Sequence, residues 1–375
     1  MTAKTIRFAA AGLVMVALVA LSISSPSGTL AQSGTPAATM SGPIATAKPG
    51  QKVSFALLPK QLGNAVFDEA SDGAQEAAKE LGSTGTYQMV APPSADVQGQ
   101  IEFIKSQTTQ GVNVIGISAN DADAVVPALK DARAKGIKVV GFDSPPSKDG
   151  RDLFISQVDF STAGQVMADM ALDILGANGG KFAILSATAD AANQNAWIAN
   201  LKDDLKNNPK YAKLNLVDTV YGNDDAAKSY TEAQGLIDKY PDLQLIMAPT
   251  TVGIAAAAKA MQDANMCDKV KTSGLGLANE MASYARNGCA PEFALWSFQD
   301  LGYLTYYTGY LLSTGAIKGV AGENFTAGRL GNYTIQTDKS GGLYVLLGPF
   351  TVFNKDNIDK YAPLPAATMA ATAAK

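Results

Sequence analysis

The chain has 375 residues, of which 47% are hydrophobic and 17% are charged; this is a globular balance at a length that favours two domains. Its formal net charge of −4, with no cluster of lysines and arginines, argues against non-specific binding to nucleic acid. Because the sequence contains no histidine, it excludes histidine acid–base catalysis, Ser-His-Asp triads and histidine-ligated metals.

The N-terminus has the pattern of an export signal. Lys4 and Arg7 form a basic start, and Ala9 to Ile23 is an apolar run that is short for a membrane span. Residues 29–31 (TLA) resemble a small-residue cleavage site. We predict a signal peptide over 1–31 and a protein exported to the periplasm or the exterior of the cell envelope. A single membrane anchor is the alternative interpretation of the same run.

Two segments lack apolar periodicity and are rich in small residues. Residues 32–50 (QSGTPAATMSGPIATAKPG) predict a flexible linker, and residues 363–375 predict a disordered tail.

Between these segments, short apolar runs alternate with amphipathic stretches. The clearest unit spans Val112 to Ser144, in which VNVIGIS and IKVVGF flank a helical pattern over 122–135. Two buried strands joined by a helical crossover imply a parallel sheet with helices on its faces. The first set of predicted strands is 53–58, 86–90, 112–118 and 137–142, and its predicted helices are 65–81, 97–109 and 122–135.

A second set follows a strand at 154–158 that leads out of the first. Its predicted strands are 181–186, 214–220, 243–247, 270–275 and 293–296, and its predicted helices are 161–175, 195–206, 226–239, 254–264 and 279–287. A long helix (301–317), an irregular Gly-rich stretch (319–340) and a final extended segment (343–353) remain. The fold class is therefore α/β, with two doubly wound parallel-sheet domains between which the chain crosses more than once. Ligands of such sheets bind beyond the carboxyl ends of the strands, here in the crevice between domains.

Catalytic motifs are missing from the sequence. It has no GxSxG, P-loop, HExxH or CxxC pattern, so we expect no enzyme, no cofactor and no metal. The adjacent pairs Asp203-Asp204 and Asp224-Asp225 are interpreted as surface or capping residues, because glycosidase carboxylates face each other across a substrate.

Polar side chains instead recur where the predicted strands end, with two aromatic residues near the same edge. Sugar hydroxyls both donate and accept hydrogen bonds, and aromatic faces suit the C–H side of a sugar ring, so this set predicts a site for a neutral polyol. The set comprises Lys60, Asn64, Asp121, Asp143, Asn193, Gln194, Thr250 and Thr251, with Phe67 and Trp296 as the aromatic residues.

Three members of this set are supported to different degrees as ligand contacts. Asp143 is the best candidate, because a carboxylate that ends a buried strand needs a partner. Asp121 has a second interpretation as a helix cap, and Phe67 has one as a core residue at helical spacing.

The two cysteines, Cys267 and Cys289, predict a disulfide in an exported protein. Two separate buried thiols are the alternative, since sequence spacing does not establish contact.

Four blocks together resemble the type I periplasmic sugar-binding proteins of ABC importers, closest to the subgroup that binds rhamnose or autoinducer-2. The resemblance covers about residues 52 to 362. The blocks are KQLGN from Lys60, SANDADAVVPALKDARAKGIKVVGFDS from Ser118, NQNAW from Asn193 and APTTVG from Ala248.

This resemblance implies two lobes joined by a three-segment hinge that close on one sugar. The lobes would be 51–157 with about 299–330, and 158–298 with about 331–362. The implied ligand contacts are Lys60, Asp143, Asn193, Gln194, Pro249 and Thr251, with Trp296 and Asp300 at the cleft edge. The implied partners are a sugar and an ABC permease, and we expect a monomer.

Two positions bear on the ligand. Autoinducer-2 binders have aspartate at the position of Asn193 and alanine at that of Thr251, so the sequence favours rhamnose or another deoxyhexose or aldose. A receptor for autoinducer-2 or for chemotaxis is the alternative. A sugar-responsive repressor of the LacI type would need an N-terminal DNA-binding module, where this chain has an export signal.

Overall fold

The computed structural model describes residues 42–363. The predicted signal peptide, the first part of the predicted linker and all but the first residue of the predicted tail lie outside the described residues. Within 42–363, every helix falls short of the length and apolar character that a membrane span requires.

Strands and helices alternate along most of the described chain. Its strands are β1 (Ile44–Ala45), β2 (Phe55–Leu58), β3 (Tyr87–Met89), β4 (Val114–Ile117), β5 (Lys138–Phe142), β6 (Leu153–Ser156), β7 (Gly180–Ser186), β8 (Leu214–Tyr221), β9 (Leu245–Ala248), β10 (Lys271–Gly274), β11 (Glu292–Leu295), β12 (Asn324–Thr326), β13 (Asn332–Thr334), β14 (Gln336–Thr337), β15 (Leu343–Leu346) and β16 (Thr351–Asn354). Its α-helices are α1 (Ala65–Glu80), α2 (Val97–Gln110), α3 (Val126–Ala134), α4 (Phe160–Leu175), α5 (Ala192–Asn207), α6 (Ala226–Lys239), α7 (Thr251–Asp263), α8 (Ala278–Asn287), α9 (Phe298–Ser313) and α10 (Ile358–Tyr361).

The first sheet has seven strands in the order β14-β15-β6-β5-β4-β2-β3. All its pairs are parallel except β14 with β15. Strand β2 is apolar at every position because both faces of the sheet are covered. Phe55 and Leu57 face the core that includes α1 and α9, whereas Ala56 and Leu58 face α2 and α3.

The second sheet has four parallel strands in the order β10-β9-β7-β8. A bridge between Leu275 and Ala294 extends it to β11, which pairs with β16 in antiparallel orientation. Cys267 and Cys289 form a disulfide with their Cα atoms 4.6 Å apart. This link ties the segment after α7 to the segment before β11.

Within the described residues, the chain passes between the two sheets three times. The first connection (157–159) lies between β6 and α4, the second (296–297) between β11 and α9, and the third (347–350) between β15 and β16. Two α/β units, each built on a largely parallel sheet and joined by several chain connections, confirm the predicted fold class.

The structure corrects the expected position of the last crossing. The extended segment predicted over 343–353 is two strands, and β15 pairs with β6 while β16 pairs with β11. The hairpin of β14 and β15 therefore belongs to the first sheet, whereas residues from 331 were expected in the second lobe. The reason is that β6 would otherwise be an exposed edge with unpaired backbone groups.

The end of the predicted linker is ordered against the body. Strand β1 pairs in parallel with β12, within the stretch predicted to be irregular. The Tyr310 hydroxyl donates to the Lys48 carbonyl oxygen at 2.7 Å and accepts from the Gln51 N–H at 3.0 Å. Residues 42–50 are therefore not a free tether, because their backbone groups pair with α9 and β12.

Helices α1 and α9 approach each other backbone to backbone. A Cβ atom added at Gly302 would lie 1.8 Å from the Ala70 carbonyl oxygen, and one added at Gly73 would lie 1.8 Å from the Gln299 carbonyl oxygen. Glycine is required at both positions because any side chain would force the helices apart.

We therefore expect Gly302→Ala to reduce the free energy of unfolding by about 1–3 kcal/mol, the usual cost of overpacking. Gly235→Ala is a matched control, because Gly235 lies inside α6 with no atom within 4 Å of an added Cβ. The better helix propensity of alanine should stabilise that variant slightly. Melting temperatures of the two variants test this, and equal values would contradict the close crossing.

Candidate functional site

A cavity lies between the carboxyl ends of the two sheets. It is bounded by the loops after β2, β5 and β8, by the first turns of α1, α5 and α7, and by the connection at 296–297. Its lining residues are Lys60, Asn64, Val66, Phe67, Asp143, Asn193, Gln194, Trp197, Asp224, Pro249, Thr250, Thr251, Leu275, Leu295, Trp296 and Phe298. Ten of the twelve predicted contact residues are in this list.

Asp143 is fixed at the end of β5 by hydrogen bonds to both carboxylate oxygens and to its main-chain oxygen. The Ser118 hydroxyl donates to Oδ2 at 2.7 Å, Asn193 Nδ2 donates to Oδ1 at 3.1 Å, and Gln157 Nε2 donates to the main-chain oxygen at 3.0 Å. Its φ of 54° lies in the left-handed region. This conformation costs energy for a residue other than glycine, and residues that adopt it are concentrated at functional sites. Burial raises the pKa of this carboxyl, and the nearby Lys60 ammonium opposes that rise.

Lys60 supplies a buried positive charge from the loop after β2. Its Nζ lies 4.0 Å from Asp143 Oδ2 and donates to Asn193 Oδ1 at 3.4 Å. The side chains of Lys60 and Asp143 are only 7% and 8% exposed, so each charge depends on the other for compensation.

Buried amides hold the Lys60 loop in place. Gln100, which is fully buried, donates from Nε2 to the Pro59 and Ser118 carbonyl oxygens at 3.1 and 2.8 Å. Asn120 Nδ2 donates to the Lys60 carbonyl oxygen at 2.8 Å. The loop is therefore pre-organised by hydrogen bonds behind the cavity.

Asn193 reaches the first sheet from the first turn of α5. Its neighbour Gln194 fastens that turn to the end of β7, because Gln194 Oε1 accepts from the Ser186 hydroxyl at 2.7 Å and from the Ala187 N–H at 2.8 Å. Lys60, Asp143 and Asn193 thus form a polar triad that joins the two sheets.

The turn after β8 adds an acidic residue that the sequence interpretation missed. Asp224 lines the cavity, accepts a hydrogen bond from the Thr250 hydroxyl, and has a φ of 51°. Its main-chain oxygen accepts from Gln61 Nε2 at 3.3 Å, a second link between the sheets. Its neighbour Asp225 does cap α6, by accepting from the Lys228 N–H at 2.7 Å. The position of Asp224 just beyond a strand end was the available signal.

The remaining wall is aromatic and apolar. Trp197 and Trp296 meet edge to face with ring centroids 5.6 Å apart, and Trp296 lies 5.3 Å from Phe298. Phe67 meets Phe298 at 6.3 Å, so it is both a core and a lining residue. Trp197, also missed, follows Asn193 by one helical turn and so lies on the same face of α5.

Two predicted contact residues lie away from the cavity. Asp121 Oδ1 accepts from the N–H groups of Asp123 and Ala124, both at 2.9 Å. It stabilises the turns over 122–125, so α3 begins at Val126 rather than at residue 122. Asp300 accepts from Arg329 Nη1 at 2.6 Å in a partly exposed ion pair. Backbone N–H groups satisfy Asp121 and the Arg329 guanidinium satisfies Asp300, so the cleft satisfies neither carboxylate.

Asn64 and Thr250 line the cavity and also cap helices. Asn64 Oδ1 accepts from the Val66 N–H at the start of α1, and Thr250 Oγ1 accepts from the Gly253 N–H at the start of α7. Thr251 and Pro249 complete that corner. In the part of the chain that the structure describes, no group of three or more His, Cys, Asp or Glu residues is placed to hold a metal ion.

Comparison with known proteins places this geometry in a family. The model of the periplasmic binding protein domain matches residues 55–317. A solved solute-binding protein of an ABC transporter from Clostridium phytofermentans, with bound L-rhamnose, is 36% identical, with a TM-score of 0.78 over 86% of this chain and 99% of that one.

Two further solved structures are similar. A sugar ABC transporter protein from Actinomyces odontolyticus is 48% identical, with a TM-score of 0.67 over 82% of this chain and 97% of that one. LsrB from Clostridium saccharobutylicum, in complex with AI-2, is 25% identical, with a TM-score of 0.77 over 82% of this chain and 99% of that one. The chain therefore belongs to the periplasmic binding protein family, the family that its sequence resembles. The members of this family are binding proteins rather than enzymes.

Proposed function

We propose that this protein is an exported solute-binding protein that captures a monosaccharide and delivers it to an ABC import permease. The polar triad of Lys60, Asp143 and Asn193 carries the proposal, because it brings a buried cation, a carboxylate and an amide together from both sheets.

The chemistry of the cavity suits sugar hydroxyls. The Asp143 carboxylate accepts from adjacent hydroxyls, the Lys60 ammonium donates to them, and the Asn193 amide does both. Charged side chains can be buried in such a site because the hydroxyls of a bound sugar supply the hydrogen bonds that water supplies in the open cleft. The rings of Trp296 and Phe67 provide faces for the apolar C–H side of the sugar.

The apolar part of the lining supports a deoxyhexose. Val66, Leu275 and Leu295 lie in the same cavity as the polar triad, and a methyl group in place of a hydroxyl is favourable against such a surface. We propose rhamnose, or another deoxyhexose or aldose, as the ligand. The likeness to the L-rhamnose-bound protein at 36% identity supports this choice.

Hinge closure is the proposed mechanism. One lobe would contain the first sheet with α1–α3 and α9, and the other the second sheet with α4–α8, β11 and β16. The connections at 157–159, 296–297 and 347–350 would bend while the packed layers stay rigid, as in hinge motions of periplasmic binding proteins. A sugar that touches both lobes favours the closed form, because only there does it make all its contacts.

A receptor for autoinducer-2 is the second candidate, supported by the likeness to the AI-2 complex at 25% identity. Asn193 and Thr251 argue against it, because autoinducer-2 binders resembling this chain have aspartate and alanine there. The two candidates differ in ligand and share the fold.

A thermal-shift screen distinguishes these candidates. At equal concentrations, we expect L-rhamnose to raise the melting temperature more than D-ribose, D-fucose, D-galactose or autoinducer-2. A ligand stabilises the folded state in proportion to the logarithm of its concentration over Kd, so the ligand that binds most tightly gives the largest shift. A larger shift with autoinducer-2 would select the second candidate. No shift with any of the five would contradict sugar capture.

Replacement of Asp143 tests the polar triad. We expect Asp143→Ala to weaken sugar binding by about 2–5 kcal/mol in calorimetry, because it removes hydroxyl contacts and leaves the Lys60 charge buried without a partner. Asp149→Ala is the control, since Asp149 lies in the short 3-10 turn between β5 and β6, is exposed, and pairs with Lys130 at the surface. Equal affinities in the two variants would remove Asp143 from the site.

Tryptophan fluorescence provides an independent readout. Both tryptophans of the sequence, Trp197 and Trp296, line the cavity. We expect a saturable change in emission with the midpoint found by calorimetry, and a smaller amplitude in Trp296→Phe. A sugar that gives no thermal shift serves as the control. Unchanged emission at saturating ligand would place the binding site elsewhere.

A further inference from the structure

We propose that Asp224 is a ligand-binding carboxylate that, together with Asp143, gives the cavity a net negative charge and excludes anionic sugars. This inference rests on the proposed function and deepens it by naming the excluded class: uronic acids and sugar phosphates.

The backbone at Asp224 is held in an unfavourable conformation. Asn223 and Asp224 have φ angles of 58° and 51°, two consecutive non-glycine residues in the left-handed region. Such conformations cost energy and persist where the surroundings impose them, typically at functional sites. Here the strained turn brings the Asp224 side chain to the cavity wall.

The contacts of Asp224 leave one carboxylate oxygen for a ligand. Oδ1 accepts from the Thr250 hydroxyl, and the main-chain oxygen accepts from Gln61 Nε2. Among the described residues, no hydrogen bond occupies Oδ2. The side chain is thus oriented by Thr250, while Oδ2 is free to accept from a sugar hydroxyl.

The charges of the cavity do not balance within its lining. Lys60 is the single cation among the lining residues listed above, against the carboxylates of Asp143 and Asp224. The two carboxylates are close enough to interact: burial is the main cause that raises the pKa of Asp143, and the charge of Asp224 adds to the rise.

This imbalance discriminates between guests. An anionic sugar would be buried against two carboxylates with only one ammonium in compensation, and like charges brought together in a desolvated site strongly disfavour binding. A neutral sugar meets no such repulsion, and its hydroxyls satisfy both carboxylates as donors.

The experiment compares the wild type with Asp224→Asn and Asp225→Asn. Asparagine keeps an oxygen that accepts from Thr250 and tolerates the left-handed conformation, so Asp224→Asn removes mainly the charge. Asp225 is the matched control, because it is exposed, caps α6 and is absent from the cavity lining.

Calorimetry should show that Asp224→Asn binds the neutral sugar of the wild type roughly tenfold to 100-fold more weakly, the usual range for a lost hydrogen bond to a charged group. Asp225→Asn should stay within about twofold of the wild type. The melting temperature without sugar should change little in Asp224→Asn, which separates a binding role from a structural one.

A second comparison isolates the charge. D-Fucose and D-galacturonate differ only at C6, which is a methyl group in D-fucose and a carboxylate in D-galacturonate. We expect the wild type to prefer D-fucose, and this preference to shrink in Asp224→Asn. An effect on folding alone would leave the ratio unchanged.

The outcomes separate the two proposals. If the wild type binds no neutral sugar, the proposed function fails. If it binds one and Asp224→Asn binds it within twofold, only the role of Asp224 fails. A wild type that binds D-galacturonate as tightly as D-fucose would overturn the exclusion of anionic sugars.

Discussion

The structure depends on one buried electrostatic arrangement, in which Lys60 and Asp143 from the first sheet meet Asn193 from the second. Neither charge is stable alone in so dry a place, because an unpaired buried ion is far more costly than a paired one. Each partner therefore constrains the others, and the amide of Asn193 completes the pair only when the sheets are close together. We propose that the atoms that link the sheets are also those that bind the hydroxyls of a sugar.

The aromatic residues extend this coupling to the connections between the sheets. Trp296 lies in the second connection and Phe350 in the third, with ring centroids 5.8 Å apart, and Phe160 follows the first connection and meets Trp197 at 5.4 Å. Because Trp197 and Trp296 also line the cavity, the wall of the site and the packing at the crossings share side chains. The cavity wall and the crossings are therefore in direct side-chain contact.

Residues of the same type at similar strand ends have different roles, and local pattern does not separate them. Asp121, Asp143 and Asp224 all follow strands of a parallel sheet. Asp121 accepts from its own turn, whereas Asp143 and Asp224 adopt strained left-handed conformations at the cavity. Whether an aspartate caps a turn depends on the next three residues of the chain. Whether it lines a cavity depends on which residues of the other sheet lie opposite it. For this reason the local sequence pattern led to the interpretation of Asp224 as a surface or capping residue.

The sequence by itself determined the α/β class, the strands from β2 to β11, the helices from α1 to α9, and the sheet edge at which the cavity lies, because these follow from apolar periodicity and the geometry of parallel strands. Only the tertiary structure decided that Asp224 and Trp197 line the cavity, that Asp121 and Asp300 lie outside it, and that β15 completes the first sheet. Those outcomes depend on contacts between segments distant in the chain, whose energies are set by packing and pairing rather than by neighbouring residues.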